Sequence, residues 1–120
     1  MAAPNLVNVT SIYGKTVGAD LGTGNTNILI CGAEKVIKVN SIIVSNVDGA
    51  SAFDVTVVFY NHSSTANIHI AKTVSVPADA TLVVITKDSS IYLEEDMAIF
   101  LTASAAGDLS GTCSYDEISE

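Results

Sequence analysis

Acidic residues, histidines and cysteines are the side chains of this 120-residue chain whose types could support chemistry. Glu94-Glu95-Asp96 is the densest acidic run. General acid–base catalysis needs opposed carboxylates held in different environments, which adjacency in one turn does not supply. A solvated face is the expectation there. Asp48, Asp54 and the Asn46 amide offer oxygen ligands for calcium, but they lack EF-hand spacing. His62 reads as a turn residue and His69 as the polar face of a strand. Their spacing suits neither a zinc site nor a Ser-His-Asp arrangement. Cys31 and Cys113 sit far apart inside apolar runs, so two buried thiols are expected rather than a disulfide or a metal site. No catalytic residue, metal ligand or cofactor ligand is expected.

One loop carries a sharper signal. Asp20-Leu21-Gly22-Thr23-Gly24-Asn25-Thr26 resembles the first phosphate loop of the actin and Hsp70 type of ATPase. In such a loop glycines bring backbone N–H groups close to phosphate, and the aspartate serves the metal. That fold needs two large α/β domains and further nucleotide motifs, for which this chain has neither the length nor the helices. A Gly-Asn turn joining two strands is the expectation, with no cofactor. Asn8-Val9-Thr10 and Asn61-His62-Ser63 match the glycosylation sequon, which matters only on a secretory route. Met1-Ala2-Ala3-Pro4-Asn5 lacks the basic start and apolar run of a leader, so no secretory leader is expected.

The charge balance narrows the partners. Thirteen Asp and Glu stand against five Lys and no Arg, a net charge of −8. Binding to nucleic acid draws on Lys and Arg against phosphate, and anionic membranes attract polybasic segments. Neither nucleic acid nor membrane is therefore an expected partner. No apolar run approaches the roughly 20 residues that span a bilayer. A protein partner or self-association is left.

The elements that must carry these residues read as strands. Val (14), Ile (12) and Thr (11) outnumber Leu (7), and branching at Cβ suits a pleated surface. Phe53, Val55, Val57 and Phe59 alternate with Asp54, Thr56, Val58 and Tyr60, the pattern of a half-buried strand. Ile68, Ile70, Val74 and Val76 repeat that period with a break at Lys72, before Pro77. Met97, Ile99, Leu101 and Ala103 form a third set; Leu109, Gly111, Cys113 and Tyr115 form a fourth. Leu82-Val83-Val84-Ile85 predicts a strand covered on both faces. From Val36 to Val44 the phase slips, which a bulge near Asn40-Ser41 or a change of sheet explains.

Gly22–Asn25, Asp48-Gly49, Asn61–Ser64, Pro77–Asp79, Lys87–Ser90 and Ala106–Asp108 punctuate these runs as turns. The pattern predicts an all-β fold, an antiparallel β-sandwich or jelly roll, with no helix of three turns. Leu6–Val9 and Ser11–Tyr13 are strand-like without a core pattern. Residues 1–24 are thus expected as an extended N-terminal arm and turn, able to pair with the sheet edge or with a neighbouring subunit. Residues 25–120 are expected as the β-sandwich. Tyr13, Tyr60, Tyr92 and Tyr115 suit either an interface or the rim of the core.

From about Asn27 onward the chain resembles small structural proteins of tailed bacteriophages, especially those of marine and cyanobacterial hosts. The resemblance rests on Asn27-Ile28-Leu29-Ile30-Cys31, on the stretch from Val36 to Gly49, and on Ala71–Asp79 with its Val-Pro-Ala turn. Ser90–Asp96 and Ser114–Ser119 complete it. It implies a non-enzymatic virion component made in the host cytoplasm: a homo-oligomer such as a trimer, bound to a major capsid or tail protein. Capsid decoration, as a cement protein, is the first expectation. A neck, tail or baseplate component, or a host-receptor or glycan-binding module, is the alternative. A positive mean hydropathy fits apolar surface buried between copies.

Overall fold

The computed structural model describes residues 11–61 and 65–119. They form nine strands: β1 (Ser11–Asp20), β2 (Thr26–Ile30), β3 (Lys35–Asn46), β4 (Phe53–Asn61), β5 (Ala66–Val76), β6 (Thr81–Ile85), β7 (Ile91–Leu93), β8 (Ala98–Ala103) and β9 (Leu109–Ser119). A 3-10 turn at Lys87–Ser89 separates β6 from β7.

Every strand pair is antiparallel. β1 pairs with β9, β2 with β8, β3 with β6 and β7, and β4 with β5. These are the nested arms of one long folded ribbon. Rolling the ribbon brings β9 against β3 and β8 against β4. Two sheets result, β1-β9-β3-β6 with β7 also on β3, and β2-β8-β4-β5. This strand order is that of a jelly roll.

The core lies between the sheets. Ile37, Val39, Ile42 and Val44 of β3 all enter it, although the two pairs have opposite parity in the sequence. The register between β3 and β9 shifts between Val39 and Ser41. That bulge turns the second half of β3 over, so both apolar pairs meet the same core. Val55, Val57, Ile99 and Leu101 of the other sheet face them, and Leu109 and Cys113 of β9 lie beside them in the same sheet, each fully buried. On the β4–β5 ladder a second irregularity accompanies Thr73, whose φ is 53°. It follows the Lys72 break in the apolar period.

Leu82–Ile85 departs from its expected cover on both faces. Ile85 is buried, and Leu82 and Val84 pack on the core, but Val83 is 51% exposed. β6 belongs to a two-sheet sandwich, where a strand turns one face to the core and the other to solvent, and Val83 lies on the solvent face. β1 lies along the whole of β9, from Ser11 opposite Ser119 to Asp20 opposite Ser110, and Val17 packs on the core. Leu21 is 1% exposed within that core. Residues 1–10, with Asn8 and Leu6–Val9, lie outside the described residues, as do His62, Ser63 and Ser64.

Candidate interaction surface

The residues singled out for chemistry are scattered. Asp20 ends β1, its carboxylate accepting a hydrogen bond from Ser110 Oγ at 2.9 Å. The following loop crosses from one sheet to the other, where the Gly22 carbonyl accepts from Ala103 N. A Cβ at Gly22 or Gly24 would meet nothing within 4 Å, and neither has a positive φ. Asn25 accepts from Thr102 Oγ1 at 2.9 Å.

Glu94–Asp96 forms the turn before β8. Asp96 N donates to Cys31 O, and Glu95 Oε2 accepts from Glu34 N at 2.6 Å. Asp48 closes its own turn, Oδ1 accepting from Ala50 N. Asn46 is structural: Nδ2 donates to Ser51 O and to Val76 O, both at 2.9 Å, while Oδ1 accepts from Asp48 N. Among the described residues no group of three or more His, Cys, Asp or Glu is placed to hold a metal ion, and no helix is long and apolar enough to cross a membrane.

Both cysteines are buried free thiols. Burial pushes Cys31 up to about 11 and Cys113 up to about 12. Thiols so far above neutral pH are inert as nucleophiles and as metal ligands. Cys31 Sγ donates instead to Lys35 O at 3.2 Å.

What the fold does gather is apolar surface at its edges. Eight large hydrophobic residues are exposed among those described: Ile12, Tyr13, Ile30, Val47, Ile68, Ile70, Val83 and Tyr92. All but Val47 lie on β1, β2, β5, β6 or β7, the outer strands of the two sheets. The inner strands β3, β4, β8 and β9 carry none. The tyrosines divide accordingly, with Tyr13 and Tyr92 exposed at edges, Tyr115 on the core, and Tyr60 stacked on Phe100 at 5.7 Å.

The two flanks differ. On one, β1 and β2 run side by side; there Lys15 Nζ reaches Glu117 Oε1 at 3.0 Å, and Lys35 reaches the same oxygen at 3.6 Å. On the other, β5 faces β6 and β7, and a groove of about 340 Å³ opens between the sheets. It opens because the Lys87–Ser89 turn interrupts that edge. β6 pairs with Ile42–Ser45 and β7 with Ile37–Val39, leaving a gap between them. Phe59, Ile68, Ile70, Val84, Ile91 and Tyr92 supply its apolar wall. Ile68 and Ile70, read in the sequence as core, line this groove because the opposite sheet stops short of them.

No family model and no characterised protein sequence matches the chain. Solved structures do. A chain from Bacillus endospore appendages, described as a family of disulfide-linked pili, superposes with a TM-score of 0.54 at 15% identity. The match covers 91% of this chain and 87% of that one. A chain of infectious bursal disease virus, Gx strain, gives a TM-score of 0.48 at 8% identity, over 91% of this chain and 33% of that one. At 15% identity, what this chain shares with the pilus chain is the fold: an antiparallel β-sandwich.

Proposed function

We propose that this chain is a non-enzymatic structural subunit that assembles with copies of itself through its sheet edges. One observation carries the reading: exposed large apolar side chains gather on outer strands and are missing from inner ones. Outer strands offer unpaired backbone donors and acceptors, and soluble monomers guard them with charge, proline or cover. Here the edges carry exposed Ile12, Tyr13, Ile68, Ile70 and Val83 beside Lys15 and Lys72. Pairing edge to edge satisfies the backbone and removes apolar area from water in one step.

The assembly we favour is a bacteriophage virion, with this chain as a capsid decoration protein. The resemblance of residues 27–119 to small phage structural proteins supports it, and the sandwich likeness to a pilus chain fits an assembling role. Buried thiols mean that this assembly is held without disulfides between copies. Partners on the particle would be the major capsid protein or a tail protein.

Sedimentation of the purified chain tests the first part: oligomers that grow with concentration are expected, and a monomer at every concentration overturns it. Quantitative mass spectrometry of purified particles tests the second. Copy numbers in proportion to the major coat protein support decoration; a handful of copies place the chain in the neck, tail or baseplate.

A further inference from the structure

We propose that the groove between β5 and the β6–β7 break receives residues 1–10 of a second copy of this chain, laid as an added strand along β5. This rests on the self-assembly reading above and names the contact that performs it.

The receiving edge is open. Among the described residues β5 pairs with β4 alone. From Asn67 to Ala71 it carries neither proline nor a Lys, Asp or Glu; its register against β4 shifts between His69 and Ala71, and Lys72 and the Thr73 irregularity come after. Ile68 and Ile70 turn toward the groove, 52% and 36% exposed. An added strand here gains backbone hydrogen bonds along β5 and a dry seat for alternate side chains.

The occupant matches in chemistry and spacing. Residues 1–10 hold no charged side chain in a chain of net charge −8, so they enter an apolar groove without burying a charged side chain. Val7 and Val9 stand two residues apart, which puts both on one face of a strand about 6.6–6.8 Å apart. Ile68 and Ile70 have the same spacing.

Position selects another copy as donor. The segment leads into Ser11 on β1, at the flank opposite the groove, with β9 and β3 between. Reaching its own groove means crossing three inter-strand spacings, roughly 14 Å, over the end of the sheet. Val9 stands two residues before Ser11, a reach of at most about 7 Å, so it cannot lie on its own groove. A neighbour set flank to flank brings its groove beside β1 directly. Unlike flanks meeting head to tail give a ring where the rotation closes and a fibre where it does not.

The test links Val9 to Ile70 across copies. Full-length Val9→Cys protein is mixed with nitrogen-15-labelled Ile70→Cys protein, mildly oxidised, and weighed. Cys31 and Cys113 are buried and do not compete. A covalent dimer of one labelled and one unlabelled chain is the expected major product. Its absence while sedimentation still shows oligomers overturns the groove contact and leaves self-association standing. An internal link in a monomeric Val9→Cys/Ile70→Cys chain overturns the second copy as occupant. A wild-type chain that never associates overturns both readings. Val9→Asp, outside the described sandwich, should weaken association roughly tenfold or more while leaving the thermal midpoint of the dilute, unassociated chain unchanged.

Discussion

Gly111 of β9 lies directly beneath Leu101 of β8: a Cβ built on the glycine would stand 3.0 Å from Leu101 Cδ1. The Leu21 and Ile28 methyls would follow at 3.4 and 3.5 Å. The two sheets therefore meet where one strand has no side chain. Gly111→Ala is expected to cost about 1–3 kcal/mol by overpacking, and Gly111→Val more. Leu101→Ala in the same chain should recover part of the loss. Denaturant unfolding of the two single variants and the double variant measures the coupling.

Asn46 is the one buried polar side chain among those described, and its three hydrogen bonds tie the end of β3 to the β3–β4 loop and to the end of β5. Asn46→Leu strips partners from Val76 O, Ser51 O and Asp48 N, at about 1–3 kcal/mol. Asn46→Asp is the sharper probe, since an ionised carboxylate would face two carbonyl oxygens. The folded state then holds its proton more tightly than the unfolded one. This variant should therefore lose stability as pH rises from 4 to 7, against wild type, in paired denaturant titrations.

The Lys15–Glu117 contact sets a pH window at the far end of the longer sheet. The hydrogen bond from Lys15, with the charges of Lys15 and Lys35 behind it, holds the Glu117 carboxyl below its ordinary value. Its contribution is full above the unfolded carboxylate value and lost as pH falls through the lowered one. The same bond raises Lys15, whose contribution is full below its ordinary value and lost as pH rises through the shifted one. Glu117→Gln should flatten the acid limb of the stability profile, and salt should weaken the pair in the same direction, because Lys15 is solvent-exposed.

The thiols predict silence. Raised by burial to about 11 and about 12, Cys31 and Cys113 should resist iodoacetamide at pH 8 in the folded chain and react fully in guanidinium. Reducing agent should leave both the thermal midpoint and the sedimentation profile unchanged.

Self-association brings together copies of charge −8. Repulsion between them is long-ranged at about 0.01 M salt and largely screened at about 0.1 M, whereas the edge contacts are apolar. Oligomers should therefore grow with salt, the reverse of an interface built on ion pairs. Sedimentation across a salt series decides between the two.

The sequence patterns read the inner strands well. Phe53–Tyr60, Met97–Ala103 and Leu109–Tyr115 each present one face to a continuous core, and period two records that directly. The phase slip at Asn40-Ser41 likewise marked a real bulge. Edges were harder to read. Leu82–Ile85 has the composition of a strand covered on both faces, yet it borders solvent, because neighbours are assigned by the roll of the whole ribbon. Period two gives the face on which Ile68 and Ile70 lie; it does not say how far the opposite sheet extends. The groove depends on that distance and on the Lys87–Ser89 interruption, neither of which is local. Ile91–Leu93 is too short for any periodicity to announce it as β7.

The pairing of β1 with β9 also orders events in time. Among the described strands, β1, the first to leave the ribosome, has β9, the last to emerge, as its sheet neighbour. Until β9 arrives, β1 waits with a bare ladder and β3 is paired only on its β6–β7 side. Closure across such sequence separations is slow. Translation of this chain should therefore pass through a sticky intermediate, whose survival in a crowded cell depends on chaperones or on rapid completion of synthesis.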